Sequence, residues 1–152
     1  ALPISELPFD YAFFDGIYWG HQNIFFTLFI GLSAMYLLDK NKDGHYITRF
    51  AIGIGAAFLA TMLSTDYAYI GIIYILAFYY TKDLPSLKRL TFVAAAMFIT
   101  NLIGSSGLQQ YSLLALIPIM LYNGKPGTKN KAVQIFFYAV YPLHLLLFAL
   151  IK

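Results

Sequence analysis

The last twenty residues constrain the fold more than any other stretch. Residues 133–152 are apolar almost throughout, and about 20 helical residues at 1.5 Å each cover the ~30 Å hydrocarbon core of a bilayer. Pro142 has no N–H to donate to the carbonyl of Tyr138, which predicts a kink. An ionisable residue such as His144 inside a membrane usually faces a bundle interior or a wet cavity. The stretch therefore predicts a transmembrane helix that carries a polar site.

His144 itself has two interpretations. Tyr141 lies three residues before it on the same helical face, so a hydroxyl and an imidazole are available together for chemistry. Alternatively, His144 forms a hydrogen bond to a neighbouring helix and serves packing alone. The helix by itself does not decide between the two.

Composition places the whole chain in a membrane. Of its 152 residues 60% are hydrophobic and 11% are charged, against about 25% charged in soluble domains. The absence of cysteine excludes disulfides, thiolate metal sites and cysteine nucleophiles. The net charge of +3 is not a nucleic-acid signal, because nine of the ten basic residues lie in three short loops.

Six apolar runs predict an all-α fold, a polytopic transmembrane helical bundle of about six spans that forms a single domain over residues 1–152. The first 20 residues contain Pro3 and Pro8 and do not resemble a signal peptide. They look like the end of an earlier hydrophobic segment, so one expectation is that the chain is the C-terminal part of a longer protein. The predicted spans are residues 22–38, 46–64, 67–80, 87–103, 108–122 and 133–152.

The basic residues predict the orientation of the bundle. They cluster in alternate loops, which must share one side, and the positive-inside rule makes that side cytoplasmic. Most of the uncharged polar groups and both candidate histidines gather on the opposite side. We expect four of these residues to converge around one cavity there: His21, Asp66, Gln109 and His144.

The polar residues suggest proton chemistry rather than metal binding. His21 and His144 offer only two imidazoles without a metal-ligand spacing, whereas one histidine oriented by Asp66 or a tyrosine suits a general base or a proton relay. Structural interpretations exist beside these. Ser64-Thr65-Asp66 precedes an apolar run as a helix N-cap does, and Asn23 is placed to cap the first span.

Four short strings stand out along the chain: His21-Gln-Asn-Ile-Phe-Phe-Thr-Leu, Asp66-Tyr-x-x-x-Gly71, Leu121-Tyr-Asn-Gly-Lys125 and Phe137-Tyr-x-x-Tyr-Pro-Leu-His144. Together they resemble the TraX family, multi-spanning bacterial membrane proteins linked to N-terminal acetylation of conjugative pilin. The segment Pro8-Phe-Asp10 also matches that family. The chain departs from the family pattern in having Ala68 where glycine is expected and in lacking an Ile-Asp-His string.

The resemblance implies a membrane-bound acetyl- or acyltransferase of the bacterial inner membrane. It would transfer an acetyl group from acetyl-CoA to a pilin N-terminus or another envelope acceptor, with no nucleic acid or metal as a partner. A small proton-coupled transporter and a non-catalytic assembly scaffold are the alternatives from other classes. The implied roles are base or relay for His144 and His21, orienting carboxylate for Asp66, and substrate binding for Asn23, Gln109, Tyr141 and Tyr67.

Overall fold

The computed structural model describes residues 2–18, 20–104, 107–122, 125, 127 and 130–151. Every regular element formed by these residues is a helix, which confirms the predicted all-α class. The elements are α1 (Leu2–Phe14), α2 (Ile24–Lys40), α3 (Tyr46–Met62), α4 (Ala68–Thr81), α5 (Ser86–Gly104), a 3-10 helix (Gly107–Ala115), α6 (Leu116–Leu121) and α7 (Lys131–Ile151).

Among the described residues, two helices are long and apolar enough to cross a membrane. They are α5, with 19 residues, and α7, with 21. The apolar helices α3 and α4 are shorter, at 17 and 14 residues. Length and composition therefore support a membrane protein, and the arrangement of about six spans stays a prediction.

The surface of α7 suits a lipid environment. Of its described side chains only Leu145 is buried, while large apolar side chains such as Phe137 and Leu150 are exposed. Acyl chains solvate such a surface, whereas water does not. The helix continues through Pro142 without a break.

Helices α2, α3 and α4 form the central packing unit. Their core joins Ile30 and Ala34 of α2 to Ala56 and Ala60 of α3 and to Ile72 of α4. A second core lies where α5 and α6 pack beside α4. At the other side of the molecule, α1 packs along α7.

Two glycines allow α2 and α4 to approach closely. A Cβ atom on Gly31 would overlap the side chain of Ile75, and one on Gly71 would lie 2.5 Å from Cγ2 of Thr27. Neither glycine therefore has room for a side chain. The close approach brings the first turn of α4 against the first turn of α2.

The structure corrects the prediction of one helix over residues 108–122. That stretch contains a 3-10 helix, Gly107–Ala115, followed by the short α6. In an α-helix the carbonyl of Leu114 would pair with the N–H of residue 118, which is proline and has none. Tighter 3-10 geometry pairs residues three apart and avoids that loss.

The N-terminal helix is the element that the sequence did not predict. Pro8 lies inside α1, where it removes a backbone hydrogen bond, so local preferences disfavour a helix there. Tertiary packing offsets this cost, because α1 lies along α7 and Phe9 is buried.

Contacts between helix ends place the first two basic loops at one end of the bundle. Lys82, after α4, lies 3.5 Å from a carboxylate oxygen of Asp39 in the last turn of α2. The guanidinium of Arg49 in α3 lies 5.6 Å from the centre of the Tyr80 ring in α4. We call this end of the molecule the basic end; its side of the membrane stays a prediction.

Candidate functional site

The centre of the candidate site is an imidazole–carboxylate pair at the end of the bundle opposite the basic end. Nε2 of His21 lies 3.5 Å from Oδ1 of Asp66, and about a third of each side chain is exposed. His21 precedes α2, while Asp66 lies in the turn between α3 and α4. The N–H of Gln22 donates a hydrogen bond of 3.0 Å to the carbonyl of Ser64, which ties the two segments together. The main chain therefore holds the pair in place.

The turn that carries Asp66 has an unusual backbone. Ser64 has φ of 49° and Ala68 has φ of 41°, both in the left-handed region that costs a residue with a Cβ atom free energy. Glycine adopts this conformation without that cost. The φ of Ala68 is thus a conformation that glycine would adopt more easily, and glycine is the residue that the resemblance led us to expect here.

The interpretation of Ser64-Thr65-Asp66 as a helix N-cap is wrong. Helix α4 begins at Ala68, and no side chain caps it. Instead, the hydroxyl of Thr65 accepts a hydrogen bond of 2.9 Å from the hydroxyl of Thr27, and both side chains are buried. The hydroxyl of Thr65 therefore forms a tertiary contact to α2, and the carboxylate of Asp66 faces His21.

Asn23 joins α1 to α2. Its Oδ1 accepts a hydrogen bond of 2.9 Å from the N–H of Phe25, which confirms the predicted cap of this helix. Its Nδ2 donates to Oε2 of Glu6, and its backbone N–H lies 3.4 Å from the same oxygen. The side chain is fully buried. Asn23 therefore fixes the position of a carboxylate that the sequence did not single out.

Glu6 and Asp10 lie one helical turn apart on α1, so their side chains share a face. Asp10 is only 2% exposed, and its Oδ2 accepts a hydrogen bond of 3.1 Å from the N–H of Tyr18. Among the described residues, Oε1 of Glu6 and Oδ1 of Asp10 are buried without a hydrogen-bond partner. Burial raises the pKa of Glu6 above its ordinary value of 4.5, although the hydrogen bonds from Asn23 oppose the rise.

Helix α1 also supplies the aromatic wall of the site. The ring of Phe9 stacks on the imidazole of His21 with centroids 5.9 Å apart, and Phe14 lies 6.2 Å from it. One face of the imidazole is thus covered by apolar groups. Glu6 is close enough to His21 for their charges to interact.

Tyr141 reaches the site from α7. Its ring meets Phe25 edge to face at 5.1 Å, and Asp66, Glu6 and Tyr67 lie within electrostatic range of its hydroxyl. Five of the seven predicted site residues thus gather here. They are His21, Asn23, Asp66, Tyr67 and Tyr141.

His144 lies one turn beyond Tyr141, with ring centroids 5.3 Å apart. Its Nδ1 is 3.0 Å from the carbonyl oxygen of Val140. When Nδ1 carries the proton it donates to that carbonyl, and Nε2 is then the basic nitrogen. In the described part of the chain, the ring contacts and hydrogen bond of His144 all involve its own helix.

Gln109 belongs to a different cluster. Its backbone carbonyl accepts a hydrogen bond of 2.9 Å from Nδ2 of Asn101, which also lies 3.2 Å from the hydroxyl of Ser112. The hydroxyl of Tyr74 donates to Oδ1 of Asn101. The 3-10 helix that carries Gln109 packs on α5 and α6, whereas α1 packs on α7 and α2. The structure thus does not bring Gln109 to His21 as we expected.

Sequence reasoning missed Glu6 and Asp10 as site residues. The available signal was two carboxylates at i and i+4 within an apolar stretch, a costly arrangement unless the groups are paired or functional. Their oxygens do not assemble a metal site. Within the described ranges, no three histidine, aspartate or glutamate side chains converge around a common position for an ion.

The fold and this site define a helical protein with two membrane-length segments and an acidic site containing histidine. Residues 3–152 match the family model described as TraX protein. The chain belongs to the TraX family, and this membership associates it with conjugative-pilin modification at a membrane. No curated protein and no solved structure matches the chain.

Proposed function

We propose that this protein is a membrane-bound acetyltransferase that transfers an acetyl group from acetyl-CoA to a primary amine, such as a pilin N-terminus or another envelope amine. The single observation that carries the proposal is the His21–Asp66 pair at 3.5 Å beside the buried oxygens Oε1 of Glu6 and Oδ1 of Asp10. Membership of the TraX family supports the proposal, because it associates the chain with pilin modification.

His21 is the proposed general base. A carboxylate beside Nε2 favours the tautomer with its proton on that nitrogen, which leaves Nδ1 able to accept a proton. Asp66 also stabilises the imidazolium that forms during transfer. The pair is partly exposed, so the imidazole can pass protons to solvent.

The acidic residues suit an amine acceptor. At neutral pH an amine is an ammonium with hydrogen-bond donors and no acceptor, and the buried oxygens Oε1 of Glu6 and Oδ1 of Asp10 offer acceptors. Asn23 acts as a positioning residue, because its amide is engaged by Glu6 and by the cap of α2. Binding there would place the amine beside His21.

Acetyl transfer then requires that the ammonium lose two protons and that a C–N bond replace the C–S bond of the thioester. The ammonium first loses a proton to solvent through His21. The amine nitrogen next forms a bond to the thioester carbonyl carbon while Nδ1 of His21 takes the second proton, and the C–S bond breaks as that proton passes to the leaving thiolate. In this proposal the hydroxyl of Tyr141, which lies within electrostatic range of Asp66, donates to the developing oxyanion. His144, one turn along α7, extends the proton path in this proposal.

The charges near the site restrict how the acyl donor binds. Its phosphates would be repelled by Glu6, Asp10 and Asp66, so only its thioester end fits there. The basic end suits the phosphates, and it lies about 20 Å away along the 14 residues of α4. We therefore propose that the donor spans the bundle from the basic end.

The test replaces His21 with Gln and Asp66 with Asn in the full-length protein. The assay follows label from the acetyl group of acetyl-CoA into an amine-terminated pilin peptide. Loss of the base should lower turnover by about 10²–10⁴-fold while Tm stays near that of the unaltered protein. His45→Gln is the matched control, because His45 is exposed and its side chain caps nothing. Normal turnover in a folded His21→Gln protein would overturn the base role.

A further inference from the structure

A second site lies at the basic end, away from His21. A cleft of about 270 Å³ opens where α5 and α6 pack beside α4. Its inner wall is apolar and includes the buried Val93 and Leu116 together with Phe78. Its polar lining includes Ser86 and Arg89 from the first turn of α5. The cleft thus combines an apolar interior with a cationic group.

The guanidinium of Arg89 is not paired with any residue that the structure describes. Within the described residues no hydrogen bond or ion pair involves this side chain, although it is partly buried. The backbone N–H of Arg89 donates a hydrogen bond of 2.9 Å to the carbonyl of Pro85, so the turn that presents the side chain is fixed. A planar guanidinium offers five donors arranged to bind two oxygens at once.

The first turn of α5 has the reverse of the usual charge pattern. Helix N-termini favour acidic residues and anions, yet this turn contains Lys88 and Arg89 and no acidic residue. The nearby Asp83 forms no ion pair with either of them in the part of the chain that the structure describes. An anion from outside the chain would therefore interact favourably with the helix end and with both cations.

We propose that this cleft binds the phosphate group of a glycerophospholipid. Arg89 would contact the phosphate through two hydrogen bonds, while Phe78 and Leu116 would pack against the first carbons of the lipid. Ile119 and Met120 line the cleft and are also exposed, so its apolar wall continues onto the outer surface of α6. A soluble anion would leave that wall uncovered.

The size of the cleft also favours this ligand. Pockets that enclose a whole small-molecule ligand measure ~300–1,000 Å³, so about 270 Å³ suits a headgroup with its chains left outside. Basic pockets between helices on the cytoplasmic side commonly bind anionic headgroups. The proposed function places the phosphates of the acyl donor at this same end of the bundle, so coenzyme A is one of the ligands that the test compares.

The test measures Tm of the full-length protein in maltoside detergent micelles, which contain no phosphate, with and without short-chain phosphatidylglycerol. At tenfold excess over Kd the ligand should raise Tm by about 3–6 °C in the unaltered protein. Arg89→Gln should abolish the rise. Lys88→Gln is the matched control, since it removes the same charge from the same turn but from a residue outside the cleft lining, and it should keep most of the rise.

Two further ligands test whether the bound phosphate comes from a source other than a lipid. Inorganic phosphate and coenzyme A are added separately at the same concentration, and neither should match the effect of the lipid. An equal or larger rise with either compound would overturn the lipid assignment. An equal rise in Arg89→Gln would overturn the site. The Tm of Arg89→Gln without added lipid establishes that this variant folds.

Discussion

The carboxylates at the two ends of the helical bundle lie in opposite environments. At the basic end Asp39 is exposed, and it accepts a hydrogen bond of 2.7 Å from the hydroxyl of Tyr79 beside the cation of Lys82. At the other end Asp10 is buried, and Glu6 retains an unpartnered oxygen. Exposed pairs of this kind contribute little to stability, whereas burying a carboxylate with a free oxygen is costly.

This difference in burial indicates which end of the bundle carries a functional site, because a destabilising arrangement of carboxylates is retained there. Perturbed and incompletely paired groups concentrate at functional sites, because the substrate supplies the missing interactions. Surface pairs need no such explanation. The comparison therefore favours the end that contains His21 as the functional site. It also predicts that matched substitutions at the two ends change the stability of the protein by different amounts and in different directions.

The largest expected difference in stability concerns two asparagines that cap helices. Asn23→Ala removes the cap of α2 and leaves Glu6 without its donor, so we expect a loss of about 2–4 kcal/mol. Asn130 accepts a hydrogen bond of 2.8 Å from the N–H of Ala132, but it is exposed, and Asn130→Ala should cost only about 0.5–1 kcal/mol. Reversible unfolding in mixed micelles measures both. Equal losses would remove the distinction between the ends.

A smaller effect is expected from two glycines. Gly71→Ala places a methyl group 2.5 Å from Cγ2 of Thr27 and 2.9 Å from Cβ of Tyr67, which should destabilise the protein by about 1–3 kcal/mol. Gly55 has no atom within 4 Å of an added Cβ, so Gly55→Ala should instead stabilise its helix by about 0.5–1 kcal/mol. The same unfolding assay reports both changes. A stable Gly71→Ala variant would show that α2 and α4 can separate without loss.

The smallest effect is a difference in pH dependence. Burial raises the pKa of Glu6 above 4.5, so this group lowers stability as the pH rises from 4.5 through its pKa in the folded state. The hydrogen bond from Tyr79 lowers the pKa of Asp39 below 3.8, so the contribution of this group is lost only as the pH falls through that lower value.

Tm measured between pH 4.5 and 7 separates these two carboxylates. Glu6→Gln should flatten the decline of Tm toward neutral pH, since the amide keeps an acceptor for Asn23 and carries no charge. Asp39→Asn should leave the profile unchanged in this window. A profile that Glu6→Gln does not alter would contradict the buried environment of Glu6.

Much of the helical framework followed from the sequence. The apolar runs at 22–38, 46–64, 67–80 and 87–103 correspond to α2 through α5, because long apolar segments between polar loops leave few alternatives to helices. The cap at Asn23 and the shared end of the first two basic loops also follow from local rules. Residues 3–152 match the family that the four short strings had suggested.

The tertiary structure decided the rest. Helix α1 forms despite Pro8 because it packs along α7, and periodicity within its own residues does not reveal that partner. The same packing buries Glu6 and Asp10 beside His21, which no spacing rule could place together.

Local sequence was equally ambiguous for the turn before α4. The polar residues of this turn match the pattern of a helix N-cap. In the structure, however, the hydroxyl of Thr65 is hydrogen-bonded to the hydroxyl of Thr27, which lies 38 residues earlier in the chain. Asp66 is left to face His21, and Gln109 is held in another cluster by Asn101. Apart from α1, the local sequence determines which segments become helices, since that depends on neighbours in the chain. Which polar groups meet depends on how those helices pack, and only the fold determines that.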